Sequence, residues 1–224
     1  MTRAYQYGIL AAVGLLTASG CSTSSSLGTG TPAAAPAAVQ TSPTTPAGAP
    51  PGAAVLGTPR QGEPFDVTIT SSDSTADPDR WRFTVQKVAC SESLDPAVMA
   101  DASDPSPAPE PGKQFCVVTI QVENIGKKQA SWDTSSTVSL NVGDTRYTQS
   151  QADDDYASAY AQHWHKDNVT VPMFGLNPRS RGPAPGVFQI PENEQPTSIW
   201  ITSSTAIETI NGVEPGYLVT LTRE

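Results

Sequence analysis

Hydrophobic residues between about position 63 and the end of this 224-residue chain alternate with polar residues in short runs. This spacing is typical of β-strands, and glycine, proline, asparagine and aspartate separate the runs as they do at turns. A helical pattern is found only in the segment 153–164. The pattern predicts an all-β fold, an antiparallel β-sandwich, over residues 63–224. The eight predicted strands cover 65–70, 80–90, 115–124, 137–142, 145–149, 186–191, 198–202 and 217–222.

The run 80–90 changes phase part-way along its length. Trp81, Phe83 and Val85 share one face of a strand, but Val88 and Cys90 follow in the opposite phase. An extra residue in one strand of a pair produces this kind of slip, so the run predicts a β-bulge.

The segment 153–167 contains the chain's only two histidines and a cluster of aspartates. His163 and His165 would share a face if they lay on a strand, and imidazole is a frequent ligand of zinc and copper. Asp153 and Asp155 could complete such a site, as could the neighbouring Asp154 and Asp167. No established metal spacing is present, and the other interpretation is an exposed acidic loop whose Trp164 packs on the sandwich. No cofactor is predicted.

The N-terminus predicts export. Arg3 precedes an apolar run at 9–18, which is too short to span a bilayer as a mature helix and is typical of a secretory signal covering residues 1–20. The small residues before Cys21 resemble the lipobox of bacterial lipoproteins. The resemblance implies a lipid on Cys21 that holds the chain at the outer, extracytoplasmic face of the cell membrane. The alternative is an ordinary cleaved signal followed by an unrelated cysteine.

Residues 21–62 are rich in serine, threonine, alanine, proline and glycine. Such a composition buries too little apolar surface to offset the entropy lost on ordering. The segment is predicted to be a disordered tether, either O-glycosylated or an unmodified spacer.

Cys90 and Cys116 are predicted to form a disulfide. Disulfides persist in exported proteins, and lipidation of Cys21 would leave these two cysteines as a pair. The enclosed residues are rich in proline and acid, so they are expected to form a long surface loop closed at its base. The alternative is a reactive thiol.

The charge and the motifs exclude some functions. The chain carries 22 acidic and 13 basic residues, a net charge of −9, which argues against binding nucleic acid. No nucleophile elbow is present, and serine is too abundant to single out a catalytic one. The chain is therefore not predicted to be an enzyme.

Two stretches resemble the signatures of a large family of domains of unknown function in Gram-positive, actinobacterial lipoproteins. The resemblance covers roughly residues 65–205. It implies an immunoglobulin-like fold, similar to that of a small secreted mycobacterial antigen, and no common activity. The proline-rich stretch RSRGPAPG at 179–186 is predicted to be a linker before a strand. The signature residues are Gly112, Lys113, Phe115, Val118, Ile120, Val122, Asn124 and Gly126, then Leu176, Asn177, Pro178, Gly182, Phe188, Ile190 and Pro191.

These observations lead to one functional hypothesis and one alternative. The first is a lipid-anchored, extracytoplasmic immunoglobulin-like module with a binding or structural role and a protein or cell-wall partner. The alternative is a lipoprotein that binds a metal or a small solute through the 153–167 region. The sequence does not identify the partner.

Overall fold

The structure is a computed structural model that describes residues 46–70, 77–100, 102 and 104–222. The predicted signal peptide, Cys21 and the tether up to residue 45 lie outside the described residues. Within the described part of the chain, no helix is long and apolar enough to cross a membrane.

Two sheets pack face to face, which confirms the predicted all-β sandwich. All pairings within them are antiparallel except β1 with β11, which is parallel. The front sheet has the order β2-β3-β4-β7 and consists of β2 (Phe65–Ile69), β3 (Asp79–Ser91), β4 (Lys113–Asn124) and β7 (Arg181–Pro191). The back sheet has the order β1-β11-β8-β5-β6 and consists of β1 (Val55–Gly57), β5 (Val138–Val142), β6 (Thr145–Tyr147), β8 (Ser198–Thr202) and β11 (Gly216–Thr220).

The remaining elements are short except for one helix. A small hairpin, β9 (Glu208–Thr209) with β10 (Gly212–Val213), joins β8 to β11. The helices are α1 (Pro96–Met99) and α2 (Gln151–Lys166), with a 3-10 turn at Pro172–Phe174. The predicted helical segment is therefore confirmed, and it is longer than the pattern indicated.

The main core lies between the two sheets and follows the predicted alternation. Trp81, Phe83 and Val85 of β3 point inward and are almost completely buried. The register of β3 against β4 shifts between Val85 and Lys87, which confirms the predicted bulge. Burial of each such side chain contributes about 1.5–3 kcal/mol to the stability of the fold.

The Cys90–Cys116 disulfide is present, as predicted. The two cysteines lie directly opposite each other on β3 and β4. The loop between them, with α1 inside it, is therefore closed where both strands reach the same end of the front sheet. This closure holds the loop against the outer face of that sheet.

The outer face of the back sheet is covered by the chain's own N-terminal segment, which corrects the predicted tether boundary at residue 62. Residues 46–57, here called the arm, pack Ala53 and Val55 against Trp200 and Leu218. Gly48 lies so close to the sheet that a Cβ there would come within 2.6 Å of Ser198 Oγ. The composition suggested disorder because small residues bury little surface of their own, yet small residues allow the arm to approach the sheet this closely.

Strand β7 begins at Arg181, so the linker predicted at 179–186 is largely strand. Pro183 and Pro185 pair with Gln121 and Thr119 of β4. Proline is tolerated because β7 is an edge strand, and within 46–70, 77–100, 102 and 104–222 no strand pairs with its other side. The strands β1, β9 and β10 were not predicted because two or three residues are too few to show alternation.

The arm gives a direct test of the corrected boundary. Ala53 is 9% exposed against Trp200, whereas its neighbour Ala54 is exposed. Ala53→Asp is expected to lower the melting temperature of the full chain, because it buries an unpaired carboxylate beside an indole. Ala54→Asp is the matched control and should leave the melting temperature unchanged. Two neutral variants would mean that the arm does not pack as described.

Candidate functional site

A groove runs between helix α2 and the loop closed by the disulfide. It has a volume of about 220 Å³. We call it the α2 groove. Its lining residues are Val98, Ala102 and Asp104 from the loop, and Ala152, Asp155, Tyr156, Ala159, Gln162, His163 and Lys166 from the helix.

The helix forms because its first turn is capped from both sides. Ser150 Oγ accepts a hydrogen bond from the Asp153 amide at 3.2 Å, and Asp153 Oδ2 accepts one from the Ser150 amide at 3.0 Å. This capping box satisfies backbone groups that a helix start otherwise leaves unpaired. The aspartates predicted as metal ligands therefore begin a helix, where negative charge near the N-terminus is favourable.

One face of α2 packs on the front sheet and leaves another face to line the groove. Ala157 and Ala161 are fully buried, and Tyr160 is 7% exposed. Ala157 and Tyr160 pack with Phe115 and Val187 on the outer face of the sheet. The groove residues follow one another at steps of three and four, which places them on a single stripe of the helix.

The helix separates the two histidines that the metal hypothesis brought together. Residues two apart on a helix point about 200° away from each other, whereas on a strand they would share a face. His163 lines the groove, and its Nε2 lies 3.6 Å from Asp167 Oδ2. The His165 ring packs instead on Phe174, with the ring centroids 4.8 Å apart.

The predicted carboxylate ligands are separated as well. Asp153 is 3% exposed, and its Oδ1 accepts a hydrogen bond from Gln189 Nε2 at 2.7 Å. Asp155 lines the groove and accepts a hydrogen bond from Gln151 Nε2 at 3.3 Å. Over the residues that the structure describes, no cluster of three or more histidine, cysteine or acidic residues could hold a metal ion. The metal site predicted from His163, His165, Asp153 and Asp155 is therefore wrong, because it assumed the wrong element.

The acidic loop that was the other interpretation of 153–167 is also corrected, but its tryptophan anchor is present. Trp164 lies in α2 and packs edge-on against Tyr160, with the ring centroids 5.9 Å apart. The Tyr160 hydroxyl in turn accepts a hydrogen bond from the Asp95 amide at 3.0 Å. This bond joins the helix to the start of α1 and sets the spacing of the two walls of the groove.

The groove combines charges of both signs with small apolar side chains. Asp104 and Asp155 lie towards the N-terminal half of α2, and His163 and Lys166 lie near its C-terminal end. Burial raises the pKa of the Tyr156 hydroxyl, and the charges of Asp104, Asp153 and Asp155 raise it further. The acidic end therefore has a negative potential that favours a cationic or hydrogen-bond-donating group.

Sequence reasoning found the helical wall of this groove and missed the loop wall. Val98, Ala102 and Asp104 belong to a proline-rich segment that carries no alternating or helical pattern. The signal that could have placed them was the disulfide. It fixes both ends of the segment at one end of the front sheet, beside the element that covers that sheet.

The hydrogen bond between Tyr160 and Asp95 is open to a matched test. Tyr160→Phe leaves the Asp95 amide without its acceptor; because Asp95 is exposed and the bond only partly buried, the expected cost is that of an ordinary hydrogen bond, about 0.5–1.5 kcal/mol. We expect faster amide exchange at Asp95 and a looser loop. Tyr156→Phe removes a hydroxyl from the same helix and should leave exchange at Asp95 unchanged. Equal exchange in both variants would show that the bond does not hold the loop.

Comparison with known proteins places the domain in a family without an assigned activity. A family model described as a domain of unknown function (DUF4352) matches residues 70–209. No curated protein sequence matches the chain.

Three solved structures resemble the chain at low sequence identity. A conserved hypothetical protein from Bacillus anthracis is 17% identical over 62% of this chain and 90% of that one, with a TM-score of 0.38. An uncharacterised β-sandwich protein from Clostridium difficile is 12% identical over 74% of this chain and 95% of that one, with a TM-score of 0.37. The yjhA protein from Bacillus subtilis is 18% identical over 74% of this chain and 100% of that one, with a TM-score of 0.36.

Proposed function

Because the chain belongs to the DUF4352 family of domains of unknown function, we propose a function from its own geometry. We propose that it is a lipid-anchored, extracytoplasmic binding module without catalytic activity. Cys21 carries the lipid, and the α2 groove binds an envelope component. The observation that carries the proposal is the groove of about 220 Å³ between α2 and the disulfide-closed loop.

The placement of the arm supports this arrangement. The arm lies on the outer face of the back sheet, and the α2 groove lies over the outer face of the front sheet. The chain that continues towards Cys21 therefore enters the domain on one side of the sandwich, and the groove opens on the other. Attachment and binding can then occupy different faces without competing for the same surface.

The lining of the groove supports binding rather than catalysis. Among the described residues that line it, none is a serine, threonine or cysteine. His163 has Asp167 as a neighbour, but the groove offers it no serine, threonine or cysteine side chain to activate. Small side chains such as Ala102, Ala152 and Ala159 leave room for a ligand and do not react with it.

A small solute is a second candidate occupant, and the charge pattern favours it. The carboxylates of Asp104 and Asp155 in the groove match a small ligand that carries a positive charge. Binding of a small solute by the 153–167 region is therefore kept as a proposal, whereas binding of a metal there is not.

The binding role is tested by placing a photo-crosslinking amino acid at Ala159 in the groove. The matched control carries it at Leu56, which is 51% exposed on the arm. Irradiation of intact cells should give a discrete adduct from position 159 and none from position 56. The adduct mass distinguishes a macromolecular partner from a small solute. Equal labelling at both positions, or none at either, would contradict the proposal.

The anchor is tested separately by Cys21→Ser. Loss of the thiol removes the site of acylation, so the protein should move from the membrane fraction to the soluble fraction. Cys90→Ser with Cys116→Ser is the control, because it also removes cysteines and should leave the protein in the membrane fraction. Retention of the Cys21→Ser chain at the membrane would contradict lipid anchoring at this residue.

A further inference from the structure

One end of the front sheet carries a group of basic residues, apart from the α2 groove. It is the end at which β3 and β7 begin and β4 ends. We call this surface the basic patch. All of its residues are exposed, and they lie on β3, on β7 and on the loops that follow β4 and precede β7. They are Arg80, Lys127, Arg179 and Arg181.

Strand pairing brings these residues together from distant parts of the sequence. Arg82 pairs with Glu123, which in turn pairs with Arg181, so the three side chains form one row on the outer face of the sheet. Arg80 lies two residues before Arg82 on β3 and therefore shares that face. Adjacent strands are about 4.8 Å apart, so the backbones of Arg80 and Arg181 lie on the order of 10 Å apart across β4.

A buried asparagine holds the two loops of the patch together. Asn124 is 1% exposed, and its Nδ2 donates hydrogen bonds to the carbonyls of Lys128 and Leu176, both at 2.8 Å. The loops at 125–128 and 176–180 are thereby tied to one side chain. The cations that these loops carry are therefore presented from a fixed backbone.

The backbone of one patch residue is in a sparsely populated conformation. Arg179 has φ of 66°, which is uncommon for a residue with a side chain. Its amide donates a hydrogen bond to the Asn124 carbonyl at 2.7 Å, which helps to hold it there. Residues in such conformations cluster at functional sites, where the surrounding structure maintains them.

The carboxylates around the patch do not neutralise its cations. Arg82 forms ion pairs with Asp66 and Glu123, at 2.8 and 3.7 Å. Lys128 Nζ lies 3.1 Å from Asp79 Oδ1. Over the part of the chain that the structure describes, none of the four patch residues forms an ion pair. Because the chain carries a net charge of −9, this group of cations creates a local exception to the sign of its surface.

A flexible anionic polymer fits this arrangement better than a single anion or an extended anionic surface. Four cations on two strands and two loops are spread too widely for one phosphate or carboxylate to contact. A membrane or a stiff DNA duplex extends past the patch and would also meet the acidic side chains beside it, Asp66, Asp77 and Glu123. A flexible chain with spaced charges follows the cations alone. Arginine suits such a ligand, because its planar guanidinium binds carboxylate and phosphate groups through two parallel hydrogen bonds.

We propose that the basic patch binds a flexible anionic polymer whose charges are carboxylate or phosphate groups. Arg80, Arg179 and Arg181 bind separate charged groups of the polymer, and Lys127 adds a point charge at the edge. The patch shares no residue with the lining of the α2 groove, so this inference goes beyond the proposed function. It requires neither the lipid on Cys21 nor a ligand in the groove.

The test is a titration of labelled polymers with the full chain in mild detergent, followed by fluorescence anisotropy. Polygalacturonate and polyphosphate are the anionic probes and distinguish carboxylate from phosphate recognition. Fully methyl-esterified polygalacturonate is the uncharged match. At least one anionic probe should bind, and the methyl ester should not. Raising the salt from about 50 to about 200 mM should weaken binding on the order of 10- to 100-fold, because each contact releases counterions.

A matched pair of double variants locates the binding surface. Arg80→Gln with Arg181→Gln removes two patch cations and should weaken binding about tenfold or more at the lower salt concentration. Arg60→Gln with Lys87→Gln removes the same charge from exposed positions outside the patch, and Lys87 lies about 20 Å from Arg80 along β3. This control should change the affinity less than about twofold, since its cations are not among the contacts.

Other outcomes overturn the proposal. These are no binding of either anionic polymer at the lower salt concentration, equal binding of the methyl ester, equal weakening in the two double variants, or tighter binding of duplex DNA than of both anionic polymers. If Arg80→Gln with Arg181→Gln does not fold, Lys127→Glu on its exposed loop decides the question, and unchanged affinity there also overturns the proposal. Because Ala159 lies outside the patch, failure here leaves the crosslinking test of the α2 groove unaffected.

Discussion

The structure depends on the pairing of β3 with β4, because β4 packs into the sandwich on one face and, at Phe115, under the helix layer on the other. Cys116, Val118 and Ile120 point into the sandwich, while Phe115 points outward under the helix layer. A register slip of one residue would exchange these two sets, so packing on either face fixes the alignment of the other. The disulfide joins directly opposed residues of the same pair and places the ends of its loop beside α2. The α2 groove exists because of this alignment.

The sandwich has a cover on each outer face, and the two covers differ in chemistry. The helix layer buries Ala157 and Tyr160 on the front sheet and leaves a groove with charges of both signs. The arm and the β9–β10 hairpin region pack on Trp200 and Leu218 of the back sheet. Both covers rely on small side chains for close approach. One polar cleft lies where two covering segments meet, between the start of α2 and Glu208 of β9.

Sequence reasoning was accurate where the pattern of a long element reports directly on its burial. The bulge after Val85, the disulfide and the helix at 153–164 were all predicted. It failed where tertiary contact overrides composition. The arm resembles a linker because alanine, glycine and proline carry little hydrophobic signal. Its order comes from contact with Trp200 and Leu218 and from the pairing of β1 with β11. Pro183 and Pro185 suggested a break in the strand. They lie in the edge strand β7, where the backbone N–H that proline lacks is not needed for pairing on the open side.

At the candidate sites, too, prediction from sequence failed where the three-dimensional arrangement decides the outcome. The segment 153–167 was selected correctly, but the metal hypothesis depended on a two-residue period, and the capping box at Ser150 imposes a helical one. The helical period turns His165 away from His163 and places Asp155, Ala159 and His163 on one stripe of the helix surface. The basic patch could not be predicted, since Arg80 and Arg181 lie far apart in the sequence and meet only through the pairing of β3, β4 and β7. Which cations are left without an ion pair is a property of the folded chain, and the local sequence carries no sign of it.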